Sequence, residues 1–327
     1  MPAVSVLMVF HRDTPFLRPA IASVLGQTWR DLELVLVDNG TGLPASALGE
    51  FGRDPRVRWV RLPANAGIAA GHNAGVAAAS SEFIGLLDYD DLMMPRRLER
   101  QVALLRADPR LGLISSLVET IDAASCVTGC EFSVVEPIAQ CRYTQYAAPV
   151  VTPAYTGRRE VFTQLPYREV FAFSADFDFL ARAAEGWPLA AVPEVLLGYR
   201  HHLAQTTVQH AARIAAERCA VRLLTARRRA GRPEGTELFP AALADASTPA
   251  AAMRRCAELC LLEGFAPLAA FHARRSFIER PTPASLAKAA RLFSLALRVA
   301  PAADRWGVTR MFLTGPVRAL GLRPHRP

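Results

Sequence analysis

The sequence predicts an α/β protein: an open, mostly parallel twisted sheet with helices on both faces over residues 1–205, then a small helical, arginine-rich region over 206–327. Three observations carry this. The first hundred residues alternate apolar runs with segments of helical spacing, in the order strand–helix–strand–strand–helix–strand, as parallel strands joined by covering helices do. The first of these runs is apolar at nearly every position, as expected of a strand covered on both faces. From about residue 205, prolines and glycines punctuate short alanine- and arginine-rich helical patterns instead.

Val4–Phe10 reads as the first strand. Asp13 and Thr14 then offer a helix cap with Pro15 in the first turn, and Leu17, Ile21, Val24 and Leu25 follow at helical spacing. Leu32–Val37 is a second strand closed by the turn residues Asp38-Asn39-Gly40. Val57–Leu62 alternates apolar and basic positions, as an edge or half-covered strand does. An alanine-rich helix is expected over Ala69–Ser80 and a buried strand over Phe83–Leu87. In the C-terminal region Met253, Cys256 and Cys260 share one helix face, closed by Gly264. Leu286, Ala290, Phe293 and Leu297 share another.

A chain of 327 residues that is 51% hydrophobic and 21% charged is globular, neither disordered nor fibrous. Its longest uncharged stretch, Leu62–Ser81, carries Pro63, Asn65, Gly67, Gly71, Asn73 and Gly75. A membrane span needs about 18–20 apolar residues, so none is expected. No basic segment precedes Val4, so a signal peptide is not expected and the location is expected to be cytoplasmic. Four of the six cysteines fall in two CxxxC pairs, Cys126/Cys130 and Cys256/Cys260, with no histidine at zinc-finger distance. They read as reduced, mostly buried thiols. The net charge of +8 is uneven: residues 206–327 hold 20 basic and 8 acidic side chains (+12), leaving −4 for residues 1–205. Arg218, Arg222, Arg227, Arg228, Arg229 and Arg232 are expected either to form a solvated helix face or to make peripheral contact with an anionic membrane on its inner face. No aromatic interleaving accompanies them, so nucleic acid is not an expected partner.

Ligands of open α/β sheets gather beyond the carboxyl ends of the strands. His11 follows the first strand, Asp38 the second, and Asp88-Tyr89-Asp90-Asp91 the fourth. In an extended segment Asp88 and Asp90 point the same way. Converging carboxylates call for a divalent cation with oxygen preference; the plain alternative is a solvated turn in which Asp90 or Asp91 caps a helix starting near Pro95.

Read together, these neighbours resemble the family 2 glycosyltransferases, which share the GT-A fold. Ser23–Thr28 looks like the family's S-V-L-x-Q-T helix end, and Glu33–Gly40 like its E-hydrophobic-V-D-x-G strand. Asn65–Gly75 is similar to the N-x-G-x-x-x-A-R-N-x-G stretch, and Leu87–Asp91 to the L-D-x-D-D that carries the DxD motif. More thinly, Asp176–Arg182 and Pro193–His202 resemble the closing motifs, so the likeness covers roughly residues 3–205.

The resemblance implies an inverting transferase that moves a sugar from a nucleotide-diphosphate sugar to an acceptor hydroxyl, in bacterial cell-surface glycan synthesis, with a glycan or lipid-linked acceptor. It implies Asp38 on the nucleobase, Asp88 on the ribose side, and Asp90 on a Mg²⁺ or Mn²⁺ bridging the diphosphate, with His202 completing the metal or phosphate shell. Asp176 would be the general base. His11, Asn65, Gly67 and His72 complete the expected donor contacts. The chain departs from the pattern at His11-Arg12, where the family has Tyr-Asn, at His72 in place of Arg, and at Ala175 in place of Glu. Asp178 is the reserve candidate for the base. Residues 120–160 are expected as a mobile cover over the donor.

Two other readings are weaker. A nucleotidyltransferase would carry a glycine-rich phosphate loop that Val4–Thr14 lacks, and the GxxxGxxxG of Gly67, Gly71 and Gly75 is not a dinucleotide fingerprint. The alternative from another class is a non-catalytic sugar-nucleotide-binding scaffold or membrane-surface adaptor, worked by the helical tail.

Overall fold

A computed structural model describes residues 2–131, 133–235 and 247–319. The described residues divide into two compact units, one comprising those up to Cys141 and Ala148–His202, the other Arg142–Ala147 and those from Leu203 on.

The first unit is built on one sheet. Its strands are β1 (Val4–Phe10), β2 (Leu32–Asn39), β3 (Val57–Leu62), β4 (Phe83–Leu86), β5 (Leu92–Met93), β6 (Leu113–Ile121), β7 (Val127–Cys130), β8 (Thr156–Arg158) and β9 (Leu189–Arg200). They lie in the order β3-β2-β1-β4-β8-β6-β9-β5, with β7 paired to β6. β3, β2, β1 and β4 are mutually parallel. Beyond them the sheet is mixed: β8 runs antiparallel to both β4 and β6, while β6 and β9 are parallel. Every residue of β1 and β2 is buried, as their apolar runs require. β3 is half-covered and pairs only with β2, at the edge.

Helices α1 (Leu17–Leu25), α2 (Gly67–Ala78), α3 (Arg97–Ala107), α4 (Pro137–Tyr143), α5 (Arg159–Gln164) and α6 (Ala175–Gly186) accompany the strands. The alternation of β1 shows that both faces are covered. A Cβ on Gly75 of α2 would meet Leu7 and Val37, whereas one on Gly85 would meet Val6 and Leu98 of α3. Two expectations shift. The cap of α1 is Phe16, without a side-chain bond; Asp13 instead pairs with Arg18 at 2.8 Å and Thr14 accepts from the Phe16 amide. Residues 120–160 are no open cover. They contribute the end of β6, then β7, α4 and β8, and Tyr143, Tyr146 and Tyr155 are buried.

The second unit consists of α7 (Thr206–Gln209), α8 (Ala211–Arg229), α9 (Pro249–Leu262), α10 (Ala266–Ile278), α11 (Pro283–Val299) and α12 (Arg305–Ala319). Met253, Cys256 and Cys260 are buried on one face of α9, as their spacing foretold. In α11 the buried face is one residue out from expectation: Ser285, Ala289, Leu292 and Ala296 are covered, while Leu286 and Ala290 face solvent. The capping box of Thr282 and Ser285 fixes that start. Of the six arginines grouped in the sequence, three are ion-paired and one is buried. Arg227 pairs with Glu263 at 3.1 Å, Arg228 with Glu234 at 2.8 Å and Arg232 with Glu263 at 3.4 Å, and Arg222 is buried. All six cysteines are free thiols, but only Cys219, Cys256 and Cys260 are buried; Cys130 lies exposed on β7 and Cys126 exposed just before it, against expectation. Among the described residues no helix is long and apolar enough to cross a membrane.

Candidate functional site

The carboxyl ends of β1, β2 and β4 share one edge, because the strands are parallel with Phe10 opposite Asp38 and Leu7 opposite Leu86. Two groups of side chains stand there.

The first surrounds the end of β2. Asp38 is buried, and its Oδ1 accepts from the Thr41 amide at 2.8 Å and the Thr41 hydroxyl at 2.6 Å. Its Oδ2 accepts from Arg61 at 3.2 Å, whose guanidinium lies over the Trp59 ring. Asn39 donates to Asn65 Oδ1 at 3.2 Å and to the Gly67 carbonyl at 3.0 Å, and accepts from the Ala66 amide. Asn39 therefore holds the exposed Asn65–Gly67 turn at the start of α2. Sequence reasoning named Asn65 and Gly67 but passed over Asn39, whose place directly after Asp38 was the available signal. Gly40 permits the approach: its φ is +87°, and a Cβ there would sit 2.2 Å from the Asn65 amide nitrogen. Gly40→Ala is expected to cost about 1–3 kcal/mol from strain and forced separation, seen as a lowered urea midpoint, and to displace the Asn65–Gly67 turn.

The second group gathers behind β4. One oxygen from each of Asp88, Asp90 and Asp91 lies within 4.8 Å of the others. Asp91 is buried; its Oδ1 accepts from the Arg200 amide at 2.8 Å, and its Oδ2 has no hydrogen-bond partner. His202 Nε2 meets Asp90 Oδ2 at 3.0 Å. Burial, then the charges of Asp90 and Asp176, push the Asp88 carboxyl up to about 8. Burial likewise raises Asp91 well above the usual carboxylate range, with Asp88 and Asp90 adding to it. Close-set carboxylates with an orphaned buried oxygen are the donor set of a hard, oxygen-seeking cation, so Mg²⁺ or Mn²⁺ fits these residues. Neither Asp90 nor Asp91 caps a helix: α3 begins at Arg97, behind an N-cap of Arg96.

This cluster is anchored from behind. Ser23 Oγ accepts from the Met93 amide at 3.0 Å. Gln27 donates to the Met94 carbonyl at 2.7 Å and accepts from the Leu98 amide at 3.1 Å. Arg200, buried, donates to the carbonyls of Asp90 at 2.7 Å and Asp122 at 2.6 Å, and to Ser125 Oγ at 3.0 Å. Arg97 lies buried beneath; burial lowers its pKa to about 9, against the pull of Asp91. Sequence reasoning gave no role to Arg97 or to Arg200, although Arg200 lies within the closing motif Pro193–His202.

The remaining residues close around this group. The His11 ring stands edge-on to Tyr89 at 5.7 Å and receives the Arg12 Nε–H at 3.1 Å. Burial, then Arg12, lower its pKa while Asp90 raises it. His72 is buried on α2 with Nδ1 3.0 Å from the Ile68 carbonyl, and it stacks on Tyr167 at 4.7 Å. Burial lowers its pKa, against Ile68 and Asp176. Asn73 grips the Tyr167 backbone on both sides, at 2.9 Å each. The buried Tyr167 hydroxyl has no partner and its pKa is raised, by burial first and then by Asp176 and Asp88. Tyr167 was not singled out from the sequence, which gives it no motif.

Asp176 and Asp178 part company. Both lie in the first turn of α6, and the N-cap is Ser174, so Asp176 is not the cap. Asp176 Oδ2 accepts from Thr152 Oγ1 at 2.9 Å and Oδ1 from the Phe177 amide at 2.7 Å. Its charge is felt at Asp88, His72 and Tyr167. Asp178 is fully buried between Arg168 and Arg182, the latter at 2.9 Å. It therefore fails as reserve base, because the helix turns it to the opposite side and two guanidinium groups neutralise it. Asp178→Asn is expected to lose about 3–5 kcal/mol of stability, read by urea unfolding, with turnover per folded molecule nearly unchanged.

The fold is similar to that of GT-A glycosyltransferases. The crystal structure of S. aureus TarS 1–349 in complex with UDP-GlcNAc superposes with a TM-score of 0.58 at 12% identity, over 94% of this chain and 86% of that one. Residues 5–163 match the model of Glycosyl transferase family 2, and that segment is a member of this family. An uncharacterized glycosyltransferase of Methanocaldococcus jannaschii is 28% identical over 208 residues, 61% of this chain and 71% of its own. The succinoglycan biosynthesis protein ExoO of Rhizobium meliloti is 27% identical over 231 residues, 65% of this chain and 64% of its own.

Proposed function

We propose that the chain transfers a sugar, with inversion, from a nucleotide-diphosphate sugar to an acceptor hydroxyl, in the building of a bacterial cell-surface glycan on the cytoplasmic side of the membrane. The observation that carries this reading is the carboxylate cluster at the carboxyl end of β4, where one oxygen from each of Asp88, Asp90 and Asp91 lies within 4.8 Å of the others and a buried Asp91 oxygen has no partner. The Asp176 charge, from a distant part of the chain, bears on Asp88 as well.

In this reading Asp88, Asp90 and Asp91, with His202, hold a divalent cation, which when bound supplies Lewis-acid stabilisation to the diphosphate leaving group. Asp38 Oδ2, which has acceptor capacity beyond the Arg61 bond, receives a nucleobase N–H. The Asn65–Gly67 turn and His11 flank the nucleotide, and the neutral His72 ring, backed by Tyr167, walls the donor. Asp176, oriented through Thr152, takes the proton from the acceptor hydroxyl as it attacks the anomeric carbon. The glycan role is supported by the likeness to ExoO.

The TarS complex holds UDP-GlcNAc, so UDP-sugars head the donor panel. Incubating the protein with UDP-, GDP- and dTDP-sugars and Mn²⁺ should give slow donor hydrolysis or a raised melting temperature with one of them. Silence from every donor, with and without metal, would sink the proposal.

A further inference from the structure

We propose that the C-terminal helical unit holds a soft monovalent metal ion, Cu(I), between Cys219 of α8, Met253 and Cys256 of α9, and His272 of α10. This site lies apart from the carboxylates behind β4 and does not depend on their assignment. All four side chains are buried, with exposures of 0%, 5%, 1% and 0% in that order. The ligand atoms of Cys219, Cys256 and His272 lie within 4.8 Å of one another.

The spacing is that of a coordination shell. Cys219 Sγ is 3.7 Å from Met253 Sδ and 3.6 Å from His272 Nδ1, and His272 Nδ1 is 3.5 Å from Met253 Sδ. A tetrahedral ion with metal–sulfur bonds of about 2.3 Å and metal–nitrogen bonds of about 2.0–2.1 Å sets sulfurs about 3.8 Å apart and sulfur and nitrogen about 3.6 Å apart. The three measured edges match. The far nitrogen of the imidazole, Nε2, is buried without a hydrogen-bond partner, so the polar contacts of this ring are those at Nδ1. Thiolate, thioether and imidazole together make a soft donor set, which selects Cu(I) or Zn(II) over harder ions.

Charge decides between those two. The Arg222 guanidinium is itself buried, with Nη1 4.0 Å from Cys219 Sγ. When Cu(I) binds, the cysteine thiols give up their protons to solvent and both sulfurs coordinate. Two thiolates then balance one monovalent ion and one guanidinium, and the buried site is neutral. Zn(II) in the same place leaves an extra positive charge beside Arg222 in an apolar interior, which is costly. The spacing of Cys219, Cys256 and His272 along the chain matches no motif, so only the packing of three helices reveals the cluster.

The test uses the full chain carrying Cys126→Ser and Cys130→Ser, which removes the two exposed thiols. Anaerobic titration with Cu(I) against bicinchoninate should show one ion retained per chain and a raised melting temperature. Adding Cys256→Ser should weaken retention at least 100-fold. Met253→Leu, a volume-conserving change that keeps the helix packing, should weaken it about ten-fold and guards against misfolding of the cysteine variant. No retained Cu(I), retention unmoved by Cys256→Ser and Met253→Leu alike, or stoichiometric retention of Zn(II) but not Cu(I) would each overturn the assignment.

Discussion

Asp176→Asn is expected to leave a folded protein that binds donor and scarcely turns it over, with kcat down roughly 10²–10⁴-fold, the range for loss of a positioned general base. The amide keeps the shape: its oxygen can still accept from the Phe177 amide and its NH2 can donate to the Thr152 hydroxyl oxygen, where the carboxylate accepts both at 2.7 and 2.9 Å. What it loses is the ability to take a proton. The contrast with Asp178→Asn is the sharpest control: about half a helix turn separates a change that should stop chemistry from one that should loosen the fold. Donor binding followed by calorimetry, beside turnover and urea unfolding of both variants, reads the difference. Equal turnover in Asp176→Asn and the parent would remove Asp176 from the mechanism.

Asp90→Asn should lower kcat/KM on the order of 10²–10³-fold, because charge building on the leaving group loses its counterpart. The same variant should blunt the response of stability to metal. The sign follows from Asp88. Its carboxyl titrates at about 8 in the folded chain and at about 3.9 unfolded, so the folded state binds that proton more tightly. Its contribution is complete below about pH 4 and is lost as pH rises toward 8. Metal-free protein should therefore melt progressively lower between pH 5 and pH 8, and Mn²⁺ should restore most at the upper end. Melting curves at fixed ionic strength, with EDTA or Mn²⁺, check this; a metal-free profile flat over that range would show that Asp88 is not crowded.

Much of this was legible in the chain because parallel strands buried on both faces write themselves as apolar runs, as in Val4–Phe10. The strand-end residues could then be read from topology alone. The motifs, however, mix chemistry with carpentry. Glu33 looks like a working carboxylate. It is instead buried at the far end of β2, accepting from Ser5 at 2.6 Å and from Ser80. Ser23 and Gln27 likewise fasten the chain that follows the aspartates rather than meeting the open edge. What could not be read was whatever depends on long-range packing. Tyr167 acquires its place through Asn73, and Arg97 through the carbonyls of Leu86 and Tyr155. The choice between Asp176 and Asp178 needed the helix, since alternation and helical geometry aim them differently.

The hexapeptide Arg142–Ala147 lies among residues of the sheet-bearing unit in the chain yet belongs to the helical one. There Tyr146 packs against Phe271 with ring centroids 5.5 Å apart, and its carbonyl accepts from Arg222. Modularity is limited accordingly: a graft made by a single cut near residue 205 severs these contacts. Exchanging the tail between related enzymes requires moving two pieces of polypeptide together, so recombination at one crossover should yield poorly assembled hybrids.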